Sequence, residues 1–148
     1  MLIGEYIHTI DEKNRVSLPA KFRKEIGKSV VITPGLEKCL FVFTLKEWEK
    51  VSKKLSDSDT DISFLSADRR NFNRLMFGRA AEAGVDSIGR ILIPDFLKEM
   101  AGLSGKTAVI GVEDRLEIWN DKEWSLYKGK MEKEAERLAE NLSKEKKS

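Results

Sequence analysis

The sequence predicts an α+β fold that is rich in β-strands, with two tandem β units and flanking helices. A motif of Asp, Arg and Pro occupies residues 11–19 and returns, with the same internal spacing, at residues 86–94. Each copy is followed by a short helix-like stretch, a β-branched run and a segment that reaches a tryptophan, Trp48 or Trp124. Two copies are fewer than the roughly three that a stacked repeat protein needs. The sequence therefore favours a pair of small pseudo-symmetric units.

Each motif is predicted to form a hairpin, in which a strand, a turn and a second strand follow one another. β-Branched or alternating residues lie at 6–10 before the first turn and at 16–18 after it, as is typical of strands. Asn14 and Gly89 precede the two arginines, and Asn and Gly most readily adopt left-handed backbone. The aspartate that opens each motif can accept hydrogen bonds from backbone N–H groups in its turn. The alternative is a helical Asp–Arg pair four residues apart, which the β-branched flanks oppose.

A short helix is expected after each motif, because Pro19 and Pro94 suit the first turn of a helix. The two helices cover residues 20–26 and 95–100. Strands then resume at residues 30–33, 40–43, 108–110 and 116–119. The same order of elements is thus predicted twice.

Further helices are expected between and after the two units. Residues 46–55 carry apolar side chains on one face, and a second stretch beyond a polar break places Leu65, Phe72, Leu75 and Met76 on one side. From Trp124 onward we expect an amphipathic helix that packs its stripe on its own domain and ends in a frayed tail. The stripe consists of Met131, Ala135, Leu138 and Leu142. The predicted division is a first repeat with its trailing helix at 1–55, a joining helix at 56–75, a second repeat at 76–125 and the C-terminal helix and tail at 126–148.

Length, charge and cysteine content restrict the class of protein. With 148 residues, 41% of them hydrophobic, the chain can bury one ordinary core or two small ones that support each other. A formal net charge of +2 does not by itself indicate nucleic acid. The single cysteine, Cys39, lies in an apolar run, so we expect a buried thiol and a reducing compartment. No stretch approaches the roughly 18 apolar residues of a membrane span, and a cytoplasmic protein is expected.

The two copies differ in charge. Residues 11–28 contain six basic and three acidic side chains, whereas residues 86–106 contain three of each. If the ligand is a polyanion, the first copy should therefore contribute most of the charge neutralisation.

The residues around both motifs form a recognisable signature. The run Gly4-Glu5-Tyr6-x-His8-Thr9-Ile10-Asp11 leads into Lys13-Asn14-Arg15, Pro19 and Ala20-Lys21-Phe22-Arg23, and the second motif contains Asp86, Gly89, Arg90 and Pro94. Over nearly the whole chain, this signature resembles the bacterial MraZ family. The resemblance implies two tandem AbrB-like swapped-hairpin units that form a pseudo-two-fold barrel with flanking helices. The family usually has Gly at the position of Asn14.

The resemblance also implies a function. MraZ proteins are transcriptional regulators that assemble into rings, commonly of eight subunits. They bind short direct repeats in the promoter ahead of the division and cell-wall gene cluster. We therefore expect this chain to bind double-stranded promoter DNA as a homo-oligomeric ring and to be associated with the nucleoid.

The first turn is the expected DNA contact. Arg15 and Lys13 are the principal donors, because Arg can pair with guanine through two hydrogen bonds and Lys can serve guanine or phosphate. Asn14 is an additional base or phosphate contact, while Lys21 and Arg23 should lie near phosphates. The alternatives are a structural pair between Arg15 and the first aspartate, and a solvated helix face for Lys21 and Arg23. The structural residues of the two motifs are Asp11, Pro19, Asp86, Gly89, Arg90 and Pro94.

Other functional classes receive less support. His8 is the only histidine and has no ligand-spaced neighbours, so we predict no metal site, no cofactor and no catalytic residue. No glycine-rich phosphate loop is present in the sequence. The remaining alternative is an antitoxin-type protein-binding module on the same hairpin fold, which usually carries a longer disordered segment than the stretch after Leu142.

Overall fold

Eight β-strands and six α-helices form the part of the chain that the structure, a computed structural model, describes: residues 1–56 and 64–145. The strands are β1 Leu2–Thr9, β2 Arg15–Ser17, β3 Ser29–Pro34, β4 Leu40–Thr44, β5 Ala81–Gly84, β6 Arg90–Leu92, β7 Lys106–Glu113 and β8 Leu116–Asn120. The helices are α1 Arg23–Ile26, α2 Leu45–Ser56, α3 Ala67–Asn73, α4 Asp95–Met100, α5 Asp121–Lys133 and α6 Ala135–Glu145. A 3-10 turn, Ala20–Phe22, precedes α1, and a π-helical turn, Arg74–Gly78, follows α3.

The strands form a mixed α/β architecture with one large antiparallel sheet. Its six strands lie in the order β1-β7-β8-β4-β3-β5, and β2 and β6 form a separate two-stranded ribbon. The first strand of each copy pairs with the other copy, because β1 lies against β7 and β5 lies against β3. The sheet is therefore assembled from both halves of the sequence, and so is the ribbon.

The predicted hairpin pairing is wrong, although the turns themselves are present. The Asp11 N–H donates to the Arg15 carbonyl at 3.0 Å, which closes the first turn. Beyond that turn β2 pairs with β6 of the second motif, and β1 pairs with β7. The physical reason is strand length, since a lone hairpin with a three-residue arm would have little cross-strand bonding and no apolar face to bury.

One main core joins the two copies. Its buried residues include Val16, Phe22 and Ile26 from the first copy and Ile91 and Leu97 from the second. A smaller cluster contains Cys39, Trp119 and Trp124. The expectation of a buried cysteine is confirmed, and this burial raises the pKa of the thiol.

The helices around the sheet agree in part with the sequence prediction. The short helices after both prolines are present, as is the helix expected at 46–55. The polar break expected after residue 55 lies largely outside the described residues, as does the end of the tail at 146–148. Across residues 1–56 and 64–145, no helix is long and apolar enough to cross a membrane.

The expected packing of the C-terminal stripe is wrong. The predicted single helix is interrupted at Glu134, whose backbone angles of −101° and 6° lie outside the α-helical region. Met131, before the interruption, packs against the smaller cluster. All residues of α6 are exposed, including Leu138 and Leu142. The helix continues past the sheet, so residues 1–56 and 64–145 provide no surface that covers its apolar stripe.

Candidate nucleic-acid interface

The two turns have the same backbone geometry. Asn14 and Gly89 occupy left-handed conformations, with φ of 61° and 83°. In the first turn Asp11 Oδ1 accepts hydrogen bonds from the backbone N–H groups of Lys13 and Arg15, both at 2.9 Å. Asp86 accepts the equivalent bonds at 3.1 and 2.8 Å in the second turn. These bonds hold the loop rigid without using the arginine side chain.

Each turn also fixes its arginine by an ion pair. Arg15 Nε lies 2.8 Å from Asp11 Oδ2, and Arg90 Nε lies 2.8 Å from Asp86 Oδ2. Backbone hydrogen bonding, chiefly from the N–H of the arginine, lowers the pKa of both aspartates below its ordinary value. The terminal guanidinium nitrogens of both arginines have no hydrogen-bond partner in residues 1–56 and 64–145. The structural pair anticipated for Arg15 therefore exists, and it leaves the outer end of the guanidinium available.

The two arginines lie on one face of the β2–β6 ribbon. Arg15 is opposite Leu92 and Ser17 is opposite Arg90, because the strands are antiparallel and centred on a pair of buried residues. Side chains alternate along a strand, so these four residues point away from the core. Arg15 is 29% exposed and Arg90 is 27% exposed. The sequence favoured a structural role for Arg90, but the geometry of the two residues is the same.

Each turn is held by the outgoing strand of the other copy. The Ile93 N–H donates to the Asn14 carbonyl at 2.7 Å, and the Leu18 N–H donates to the Gly89 carbonyl at 2.8 Å. Ile93 and Leu18 occupy equivalent places in the two motifs, directly before the proline. The surface that carries the arginines is therefore a joint product of both copies.

The side chain of Asn14 is bonded to helix α4 of the second copy. Its amide nitrogen donates to Asp95 Oδ1 at 2.6 Å, and its amide oxygen accepts from Lys98 Nζ at 2.9 Å. Both ends of the amide are thus engaged, although the sequence suggested a DNA contact. Lys98 was not among the predicted contacts. Its position 75 residues after Arg23 was the available signal, since the motifs have that same separation.

Lys21 and Arg23 differ in their surroundings. Lys21 is exposed and its ammonium lies 5.8 Å from the centre of the Tyr6 ring. Arg23 covers the second turn, because a β-carbon built on Gly89 would lie 2.2 Å from Arg23 Nε. Burial, and to a smaller extent the charge of Arg23, lowers the pKa of His8. Arg23 is therefore also a structural neighbour of the second turn.

In the described part of the chain, no group of three or more His, Cys, Asp and Glu side chains is arranged to hold a metal ion. The side chains that converge here are cations, amides and paired carboxylates. Such groups suit recognition of an anionic ligand by hydrogen bonds.

Comparison with known proteins identifies relatives over nearly the full chain. The family model described as "MraZ protein, putative antitoxin-like" matches twice, at residues 1–74 and 76–145. A relative from Desulforamulus reducens is 44% identical over 142 residues, which are 96% of this chain and 97% of the relative. One from Acetivibrio thermocellus is 42% identical over 97% of each chain, and one from Syntrophomonas wolfei is 42% identical over 96% of each. Each of the three is named "Transcriptional regulator MraZ".

Proposed function

The chain belongs to the MraZ family, and on that premise we propose that it is a transcriptional regulator that binds double-stranded DNA in a sequence-specific manner. The targets we propose are short direct repeats in its own promoter, ahead of the downstream division and cell-wall genes. Such a role implies association with the nucleoid. The observation that carries the proposal is the outer face of the β2–β6 ribbon, with its two anchored arginines.

The chemistry of the ribbon suits a DNA groove. The major groove of B-DNA admits a two-stranded β-ribbon, and Arg pairs with the O6 and N7 atoms of guanine through two hydrogen bonds. In Arg15 and Arg90 the aspartate binds Nε and leaves the terminal nitrogens for such a pair. Because the aspartate holds the side chain in place, little rotamer freedom remains to be lost on binding.

The lysines around the first turn suit the DNA backbone. Lys13 and Lys21 are exposed, and neither makes an ion pair within residues 1–56 and 64–145. Contacts to phosphates fix the register of a protein on DNA, whereas contacts to base edges read the sequence. Lys13 and Lys21 therefore position the ribbon, and Arg15 reads bases, with Arg90 in a smaller role that follows from the charge difference between the copies.

The exchange of strands supports the tandem AbrB-like organisation. Each copy contributes its first strand to the partner copy, as a swapped-hairpin barrel requires. On this assignment the first repeat with its helix covers residues 1–55 and the second repeat 76–125. Residues 56–75 join them, and residues 126–148 follow as the C-terminal helix and tail.

A homo-oligomeric ring, with eight subunits as the expected number, completes the proposal. Large apolar side chains are exposed on α6 and around α3, and extensive exposed apolar surface is characteristic of interaction sites. They are Phe64, Leu65, Phe72, Leu75, Phe77, Leu138 and Leu142. A ring would bind several repeats at once, and linked sites raise avidity by roughly 10²–10⁴ without new contacts in each subunit. Native mass measurement of the full chain tests the ring, and a monomer would contradict it.

Binding to two duplexes tests the DNA function. Fluorescence anisotropy should compare the DNA upstream of the protein's own gene with a shuffled duplex of equal length and composition, across a series of salt concentrations. We expect a difference in affinity between the two duplexes that persists as the salt concentration rises. For both duplexes the slope of log affinity against log salt concentration should be about −0.9 for each neutralised phosphate. Coincident curves that vanish together near physiological salt would contradict the proposal. A single stoichiometric basic partner in a pull-down would then favour the antitoxin-type module.

A further inference from the structure

Lys98 is a cation of the second copy that lies at the turn of the first. Its ammonium donates to Asn14 Oδ1 at 2.9 Å, and Asn14 follows Lys13 and precedes Arg15. The side chain is half-buried, so its position is restricted more than that of an exposed lysine. The linear sequence separates this residue from the first turn by more than half of the chain.

The charge of Lys98 is not neutralised by a carboxylate. Within residues 1–56 and 64–145 its ammonium makes no ion pair, and its hydrogen-bond partner is the neutral amide of Asn14. The nearby carboxylate of Asp95 accepts from the same amide instead. An ammonium has three donors, so two remain after the bond to Asn14. This arrangement fixes the position of the ammonium and leaves two of its hydrogen-bond donors available to a ligand.

The neighbouring charges restrict what such a cation can bind. Arg15 is already paired with Asp11, whereas Lys13 has no ion pair in the described chain. Lys13 and Lys98 are therefore two cations beside the first turn that make no ion pair within residues 1–56 and 64–145. A lysine acts as a compact point charge and suits a phosphate oxygen, whereas the fork of Arg15 suits a base edge.

We propose that Lys98 binds a backbone phosphate of the DNA beside the first turn, with Asn14 as the residue that positions its ammonium. This inference rests on the DNA-binding function proposed above. It changes the expected roles of the two copies in DNA binding, because the second copy supplies a phosphate contact beside the turn of the first. Asn14 then acts through Lys98 and does not itself contact a base.

The second turn lacks this arrangement. Gly89 has no side chain to hold a cation, and the guanidinium of Arg23 lies directly over its backbone. Arg23 and Lys98 are equivalent in the two copies. The first turn has Asn14 where the second turn has Gly89. This difference changes how each turn holds the cation that comes from the other copy, which is Lys98 at the first turn and Arg23 at the second.

The salt dependence of Lys98→Met tests the inference. The full-length variant should be titrated against the protein's own upstream duplex and the shuffled duplex over the same salt series. We expect the slope of log affinity against log salt to become shallower by about 0.9 for each subunit in contact with DNA. Affinity for both duplexes should fall by the same factor, because a phosphate contact carries no sequence information. Lys98→Arg should restore the slope, since it keeps the charge.

Lys46→Met is the matched control. Lys46 is exposed in the first turn of α2 and lines a cleft with Leu2, at the opposite end of β1 from the first turn. Leu2 and Thr9 lie seven positions apart on β1, and each position adds about 3.3 Å along the strand. An unchanged slope in Lys98→Met, equal to that of Lys46→Met, would overturn the inference. So would a loss restricted to the upstream duplex with the slope retained, since this indicates distortion of the turn.

The same data separate this inference from the proposed function. If the wild-type protein does not distinguish the two duplexes, the DNA-binding function fails whatever Lys98 does. If the wild-type protein distinguishes them and Lys98→Met keeps the wild-type slope, the function stands and only the role of Lys98 fails.

Discussion

Val16 and Ile91 lie directly opposite each other at the centre of the β2–β6 ribbon, and they are equivalent residues of the two motifs. Both are fully buried. The approximate two-fold axis of the duplication therefore passes between their side chains. The outer face of the ribbon carries the proposed DNA contacts, and its inner face is anchored in a core to which both copies contribute.

Truncation of Ile91 should test that anchoring. We expect Ile91→Ala to lower the free energy of unfolding by about 2–5 kcal/mol, because it leaves a cavity where both copies meet. The neighbouring Leu92 is 55% exposed, so Leu92→Ala should change stability by no more than about 0.5 kcal/mol. Guanidinium denaturation of the full chain measures both. Similar losses for the two variants would show that the ribbon is not anchored through Ile91.

Gly89 should tolerate a side chain poorly. Its φ of 83° costs an L-residue about 1–2 kcal/mol, and a β-carbon would also displace the guanidinium of Arg23. Gly105→Ala is the matched control, because Gly105 has φ of 67° and, among the described residues, no atom lies within 4 Å of the added carbon. We expect Gly89→Ala to be the more destabilising by about 0.5–1.5 kcal/mol in thermal unfolding. In a background of Arg23→Ala, the extra destabilisation of Gly89→Ala over Gly105→Ala should disappear. If it persists, it does not arise from the contact between Arg23 and Gly89.

His8 should titrate below the ordinary histidine pKa of about 6.5, because burial and then the charge of Arg23 disfavour the imidazolium. A folded-state pKa below the unfolded value means that the contribution of His8 to stability is complete above about pH 6.5 and is lost as pH falls through the folded pKa. Proton NMR follows this residue without ambiguity, because it is the only histidine.

Substitution at Arg23 tests the second cause of that shift. Arg23→Gln should raise the pKa of His8, whereas Lys24→Gln should leave it unchanged, since Lys24 is not among the groups that shift it. If His8 titrates at the ordinary value in the wild-type protein, burial does not disfavour its imidazolium. If the pKa of His8 is low in the wild-type protein and Arg23→Gln leaves it unchanged, the charge of Arg23 does not contribute to the shift.

Arg15 and Arg90 provide a direct comparison of the two copies. We expect Arg15→Ala to abolish discrimination between the upstream and shuffled duplexes, because one bidentate base contact contributes about 1–3 kcal/mol of discrimination. Arg90→Ala should weaken it less, owing to the lower positive charge of the second motif. Arg15→Lys keeps the charge and loses the fork, so it should retain affinity for the shuffled duplex. Equal losses from the two Ala variants would show that the turns act alike, as their matching geometry permits.

The local pattern of the sequence predicted most individual elements. The left-handed positions at Asn14 and Gly89 and the helices after Pro19 and Pro94 follow from backbone preferences of single residues. The strand expected before the second turn is present as β5, although its residues are small and have low β propensity, and its pairing with β3 stabilises it.

The sequence by itself determined the duplication and the shape of each turn, and it offered the pairing of Arg15 with the aspartate four residues before it as an alternative. These depend on residues close together in the chain, where spacing fixes geometry. Only the tertiary structure decided that Asn14 meets Asp95 and Lys98, that Arg23 covers Gly89, and that Val16 faces Ile91. Those contacts join residues more than 60 positions apart, and they exist because neither copy can bury its own short strand without the other.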